Sequence, residues 1–476
     1  MISTSIVYFV FLIATLALFY LVPLKYRNFI LITASLFFYL YVKLSYVYII
    51  IFIILSNYLI GIKIGEATDK ILRRRYLYFS LIINLGILVY FKYWNFIIDN
   101  IALFSSDNYL RNNYLLTEVI LPLGLSYYIF QTIGYILDIY RGFQKPEKDF
   151  FRFSLFTLFF PKLLVGPIER AKNLLPQLAS DHVFRQGNIV EGSRLIAWGL
   201  FKKMVVADRI GMYVDAIYGN LPHHNSTSFY FATLLYPFQV YADFSGYTDI
   251  ALGSAKLFGF NLIDNFRRPL LSKNVSDFWR RWHISLSSWV NDFIYNPIVY
   301  TRRNWGNMGV SYALLISFII IGVWHGASWN FVLFGILQAT ALIYEVFTKN
   351  WRKKISKKIP SYIYNSLSTL LTFLFFAFSL VVFRTTTFSG AKRILQIVQT
   401  PPGKLFIDSF ATILFIFVGI SIMMIADIRK EYKSSANAQV KPEKSWILIH
   451  LAYALLLIYI LVAGVFDGGQ FIYFAF

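Results

Sequence analysis

The sequence has no cysteine among its 476 residues. That excludes disulfides, thiolate catalysis and cysteine-ligated zinc. Charge is also scarce: 14% of residues are Asp, Glu, Lys or Arg, against about 25% in a soluble domain. Acid is the rarer sign, with 24 acidic residues against 45 basic ones. No Walker loop, HExxH zinc motif or GxSxG nucleophile elbow stands where it could work, and the dinucleotide fingerprint is missing. Neither a repeat of fixed period nor pseudo-symmetry between the halves is visible, which counts against a secondary transporter built from inverted repeats.

What is present is apolar surface. Hydrophobic residues make up 57% of the chain and aromatic ones 19%, and the mean hydropathy is +0.57. A helix needs roughly 20 apolar residues to cross a bilayer, and apolar runs succeed one another from 5–22 to 445–466. The chain therefore reads as an all-α, polytopic integral membrane protein with about 11–12 transmembrane helices. The formal net charge of +21 lies in the short gaps, at 23–28, 63–75, 141–148, 350–360 and 427–444. This is the pattern of basic cytoplasmic loops, not of nucleic-acid binding. Threading the chain with those gaps inside puts both termini outside the cytoplasm. The first run has no basic segment before it and no A-x-A-like site after it, so it is expected to be a retained span. One membrane domain is expected over 1–476, with N-terminal helices in 1–140, a core in 141–348 and C-terminal helices in 349–476.

Two segments break the pattern of simple spans. Residues 153–172 carry Pro161 in the middle and basic flanks, so each half is too short to cross; a re-entrant or interfacial element is expected, buried in protein or lining a cavity. In the polar segment 261–308, Phe278, Trp282, Leu286, Trp289 and Phe293 recur at spacings of 4, 4, 3 and 4. That spacing predicts an amphipathic interfacial helix on the cytoplasmic side with its tryptophans at headgroup level.

The chain has six histidines. His223 and His224 fall in a polar loop, His182 in another and His450 near the last span; solvation or structure accounts for them, and no metal site is expected. His325 differs, because no charged residue lies within ten positions of it. The apolar run before it, 309–324, has about 15 residues and as a helix would rise only about 22 Å. On that reading His325 sits at the turn of a short hairpin, beneath the outer surface. A buried imidazole there either bonds a neighbouring helix or serves as a neutral general base, able to take a proton from a hydroxyl and return it to a leaving group. Gly326 would allow close approach of a substrate, and Trp324, Trp329 and Asn330 would frame the site. His283 is the second candidate, read either as functional or as an ordinary interfacial histidine. Asp243, Ser245, Tyr247 and Asp249 cluster in an apolar run, where polar groups brace one another or line a cavity.

Four stretches resemble the membrane-bound O-acyltransferase family in its alginate O-acetylase-like branch. They are GPIERA (166–171), YADFSGYTDIALG (241–253), NFRRPLLSKNVSDFWRRWHISLSSWV (265–290) and GVWHGASWNFVLFG (322–335). The resemblance runs the whole length, including the pattern at 19–39 and the closing FIYFAF (471–476). It implies a helical fold enclosing a tunnel, with His325 at the position of the family's catalytic histidine and His283 at its second, histidine-or-asparagine position. It implies acyl transfer across the bacterial inner membrane from a cytosolic thioester, acetyl-CoA, with no bound cofactor. The implied acceptor is a polysaccharide hydroxyl outside, reached directly or through a periplasmic or extracellular acetyltransferase partner. The stretch NDFIYNPIVYTRRN (291–304) departs from the branch by lacking a glycine pair, which bears on the acceptor. A D-alanyl transferase acting on teichoic acid is the rival within the same chemistry, and a polysaccharide or lipid transporter the rival outside it.

Overall fold

The structure is a computed structural model that describes residues 3–41, 45–105, 121–385, 388–435 and 446–466. The closing 471–476 stretch lies outside the described residues. Every regular element among them is helical, as a backbone in lipid requires when it must satisfy its own hydrogen bonds.

Six helices among the described residues are long and apolar enough to cross a bilayer: Tyr46–Glu66, Lys70–Leu103, Asn307–His325, Trp329–Ser356, Ser361–Arg384 and Phe410–Tyr432. Ile6–Leu21 and His450–Ala463 are apolar but shorter. Other runs counted from the sequence form helices too short or too polar for that test. Arg27–Leu40 has 14 residues and Leu125–Tyr140 has 16. Ser226–Leu257 is long, but it carries Pro237, Asp243 and Asp249.

The chain forms two compact units: residues 1–196 with 250–264, and residues 197–249 with 265–476. The first unit is tied internally by neutral polar groups. The amides of Asn57 and Asn84 donate to each other's oxygens at 3.1 and 2.9 Å, Ser80 Oγ donates to Asn57 Oδ1 at 2.9 Å, and Thr132 Oγ1 donates to Asn84 Oδ1 at 3.2 Å. All four side chains are buried. Interhelical hydrogen bonds of this kind hold helices together where lipid offers no hydrophobic drive.

The expected break around Pro161 is present in this unit. Phe150–Leu158 ends at Phe159, Pro161 sits in the first turn of the short helix Phe160–Leu163, and Ala171–Leu178 follows after non-helical backbone. Residues 161–170 are buried throughout. Gly124, at φ 73°, lies so close to the Leu163 carbonyl that a Cβ there would collide with it, so the broken segment is seated against backbone.

The second unit contains the hairpin of Asn307–His325 and Trp329–Ser356. Its arms meet through glycine. A Cβ on Gly322 would strike the Phe331 carbonyl, and one on Gly335 would strike that of Phe318. Small residues let the two backbones approach this closely. The first arm has 19 residues, about 28 Å at 1.5 Å per residue, close to the roughly 30 Å core. The hairpin turn after His325 is as expected, but the arm is not short, so arm length does not set the depth of His325.

Candidate active site

His325 is the last residue of its helix, and Trp324 beside it is buried as well. Gly326 continues in extended backbone, φ −167° and ψ 160°, a conformation open to any residue. Its constraint is steric: a Cβ would enter the ring of Phe331. Gly326 thus makes room for a packed phenylalanine. Ser328 caps the returning helix, its hydroxyl accepting from Asn330 N at 3.4 Å. Asn330 Nδ2 is a buried donor with no hydrogen-bond partner among the described residues. Trp329 is 59% exposed.

His283 is placed by different means. The single amphipathic helix expected here is broken in two. Val275–Arg281 ends at Trp282, which is extended, and Ile284–Val290 begins after His283, held in the left-handed region at φ 44° and ψ 53°. A non-glycine residue there costs roughly 1–3 kcal/mol and persists only where its surroundings fix it. The surroundings are Asn265. Its Oδ1 accepts from Ser285 N at 3.1 Å, from Ser285 Oγ at 2.9 Å and from His283 Nδ1 at 3.2 Å, and its carbonyl accepts from Ile284 N at 3.0 Å. Because the Ser285 N–H can only donate, the Asn265 atom is an oxygen, so His283 Nδ1 carries the proton and Nε2 is the ring's acceptor. His283 is fully buried and outside the helices able to span; burial pushes its imidazole down to about 3, so it is neutral at physiological pH. The tryptophans of this segment, Trp279, Trp282 and Trp289, are buried in protein and do not form an exposed aromatic face. Periodicity alone cannot separate those two destinations for an apolar stripe.

The two histidines are brought together through Trp324. Its ring lies 5.5 Å from that of His283 and 5.1 Å from that of His325, both edge-on. Phe244 closes the cluster on the His283 side at 4.8 Å, and Phe383 on the His325 side at 5.4 Å. Trp279 Nε1 donates to Gln338 Oε1 at 3.1 Å, and Gln338 Nε2 donates to Ser379 Oγ at 2.9 Å. These bonds fix the first half of the broken helix to the hairpin and to Ser361–Arg384. A cavity of about 530 Å³ lies between the broken helix and the arms of the hairpin, lined among others by Trp279, Ile284, Ser287, Asn291, Ser317 and Ile321; neither histidine is among its lining residues.

The acidic cluster is paired. A π-helical turn, Phe201–Ala207, carries Lys202 and Lys203. Lys203 lies 2.6 Å from Asp243 and 2.7 Å from Asp208; Lys202 lies 2.7 Å from Asp249 and donates to Ser245 Oγ at 2.9 Å. The Lys203 ammonium also stands 5.2 Å from the Tyr247 ring centre. Asp243, Ser245, Tyr247 and Asp249 are therefore held in one array with two buried lysines. No group of three or more His, Asp or Glu that could hold a metal ion occurs among the described residues.

Sequence reasoning missed Asn265, Phe244 and Phe383. Asn265 opens a matched stretch, but nothing in its neighbours signals that it buttresses a histidine 18 positions later. The two phenylalanines are indistinguishable in sequence from the other 46 of the chain's 48.

Residues 147–385 match the model of the membrane-bound O-acyltransferase family. The chain is 32% identical to a probable alginate O-acetylase of Pseudomonas syringae over 82% of its own length and 73% of the relative's. It is 30% identical to a peptidoglycan O-acetyltransferase of Helicobacter pylori, covering 77% and 72%. It is also 30% identical to a teichoic acid D-alanyltransferase of Bacillus subtilis, covering 54% and 67%.

Proposed function

This chain belongs to the membrane-bound O-acyltransferase family and is a membrane O-acyltransferase of the alginate O-acetylase-like kind, and from that premise we propose that it acetylates an extracytoplasmic polysaccharide. The donor in this reading is a cytosolic acetyl thioester, acetyl-CoA. The acceptor is a glycan hydroxyl on the far side of the bacterial inner membrane, reached directly or through a partner acetyltransferase.

The observation that carries the reading is the aromatic bridge from His283 through Trp324 to His325. One histidine ends a span and the other lies in a segment outside the spans, so the pair suits a tunnel joining two compartments. His325 is the general base. Its imidazole accepts the acceptor hydroxyl's proton as that oxygen attacks the thioester carbonyl. The carbonyl end of its helix stabilises the positive charge that forms on the ring. The tetrahedral intermediate collapses with expulsion of the thiolate, which takes the proton back from the imidazolium, so atoms and charge balance. Asn330, whose Nδ2 is a buried donor, is suited to the developing oxyanion. The cavity lined by Ser287, Asn291 and Ser317 has room for the arm of a thioester. Trp324 walls the reacting centre, and Gly326 keeps Phe331 packed beneath it.

The longer coverage of the O-acetylase relatives than of the D-alanyltransferase favours acetyl over D-alanyl transfer. Lys202 and Lys203, which a transport pathway would need as free charges, are each paired with a carboxylate. The test uses protein reconstituted in vesicles with labelled acetyl-CoA and glycan acceptors. Wild type should transfer label, and His325→Ala should lose roughly 10²–10⁴-fold while remaining monodisperse. Retained transfer in that variant would sink the assignment.

A further inference from the structure

The helix Trp329–Ser356 and the turn after it carry six cations in ten residues: Lys349, Arg352, Lys353, Lys354, Lys357 and Lys358, with no acid among them. Beside this stretch, within the second compact unit, lies a cavity of about 480 Å³ separate from the one lined by Ser287 and Ser317. Its apolar lining includes Tyr344, Ile355, Leu367, Leu371 and Phe375, from helices able to span the bilayer. Its charged lining is Lys273, Glu345 and Arg352.

The one carboxylate is already committed. Glu345 accepts from Val275 N at 2.7 Å, Ser276 N at 3.1 Å and Ser276 Oγ at 2.6 Å. Arg352 is held at the wall by its bonds to the Glu345 carbonyl at 2.9 Å and to Thr348 Oγ1 at 3.2 Å. Lys273 is exposed. The cavity therefore combines surplus positive charge with apolar walls, and Tyr344 and Trp351 on its rim are more than half exposed, as interfacial aromatics are.

We propose that this cavity holds one anionic phospholipid, with its phosphate against Lys273 and Arg352 and an acyl chain along Leu367, Leu371 and Phe375. A basic pocket between spanning helices attracts such headgroups, and the apolar wall selects a lipid over a soluble anion. The occupied helix is the one that begins beside Asn330, so the lipid would brace the arm that returns from His325. The site is independent of which acyl group the enzyme transfers.

The test is native mass spectrometry of the full chain in detergent, titrated with phosphatidylglycerol or with phosphatidylcholine. Wild type should retain one phosphatidylglycerol in preference to phosphatidylcholine. Lys273→Gln should weaken that retention roughly five-fold, the worth of one surface cation. Leu371→Trp, which fills the apolar wall and leaves every charge in place, should abolish it. Both variants should remain monodisperse; if Lys273→Gln does not, Leu371→Trp decides alone. Equal retention of the two lipids, or unchanged retention in Leu371→Trp, overturns the proposal. So does inorganic phosphate that competes fully with the lipid, since the cavity would then bind a free anion.

Discussion

The two histidines reach one aromatic cluster by opposite routes. His325 is delivered by regular structure: a helix ends on it, glycines let its partner arm pack tightly, and a capped helix returns. His283 is delivered by irregular structure: a helix is interrupted, the residue is held at positive φ, and an asparagine from outside the segment fixes backbone and ring together. The contrast teaches that one buried histidine can rest on a scaffold that would form anyway, whereas the other needs strain and a buttress.

The contrast is broken most severely by asking for histidine at each place. His325→Asn should abolish transfer, with the roughly 10²–10⁴-fold loss expected of a missing base. His283→Asn should retain activity within about ten-fold, because an amide can keep the Asn265 hydrogen bond and asparagine tolerates positive φ. Equal losses in a vesicle transfer assay would place both in the same chemical role.

The next largest effect concerns the helix behind His283. Asp243, which precedes Phe244, faces Lys203, and removing one partner of a buried pair costs about 3–5 kcal/mol. Lys203→Met should therefore cut the yield of folded protein, and Lys203→Met with Asp243→Leu should recover part of it. The measurement is the melting transition in detergent with the monodisperse fraction.

Asn265→Ala should cost less, about 1–3 kcal/mol for the donors it leaves unpaired. It should lower kcat more than it raises KM, because it frees the His283 ring and leaves the cavity walls in place. An unchanged kcat would remove Asn265 from the positioning role.

Near neutral pH the smallest effect is on pH dependence. His283 is held near 3 in the fold against about 6.5 in an unfolded chain. Between those values the unfolded chain binds the extra proton, so stability rises with pH and is lost as pH falls from about 6.5 towards 3. In melting curves against pH, His283→Asn should flatten that slope; an identical slope would mean that His283 does not contribute to it.

Much of this was open to a reader of the sequence. The apolar runs, the absence of charge around His325 and the proline at 161 fix a helical membrane protein with a broken segment, because each acts through neighbours along the chain. The hairpin turn after His325 is equally local. The amphipathic stripe at 278–293 predicts one surface helix where the structure has two buried ones, because its spacing is the same whether the stripe meets lipid or protein.

By itself, then, the sequence determined the helical class, the family and the isolation of one histidine in an apolar span. Only the tertiary structure decided that Trp324 joins His283 to His325, that Asn265 holds His283 in a strained backbone, and that Lys202 and Lys203 neutralise the acids of the 226–257 helix. Those facts depend on groups 18 to 47 positions apart meeting in space, and hydrophobic periodicity carries no record of which distant polar group will satisfy which.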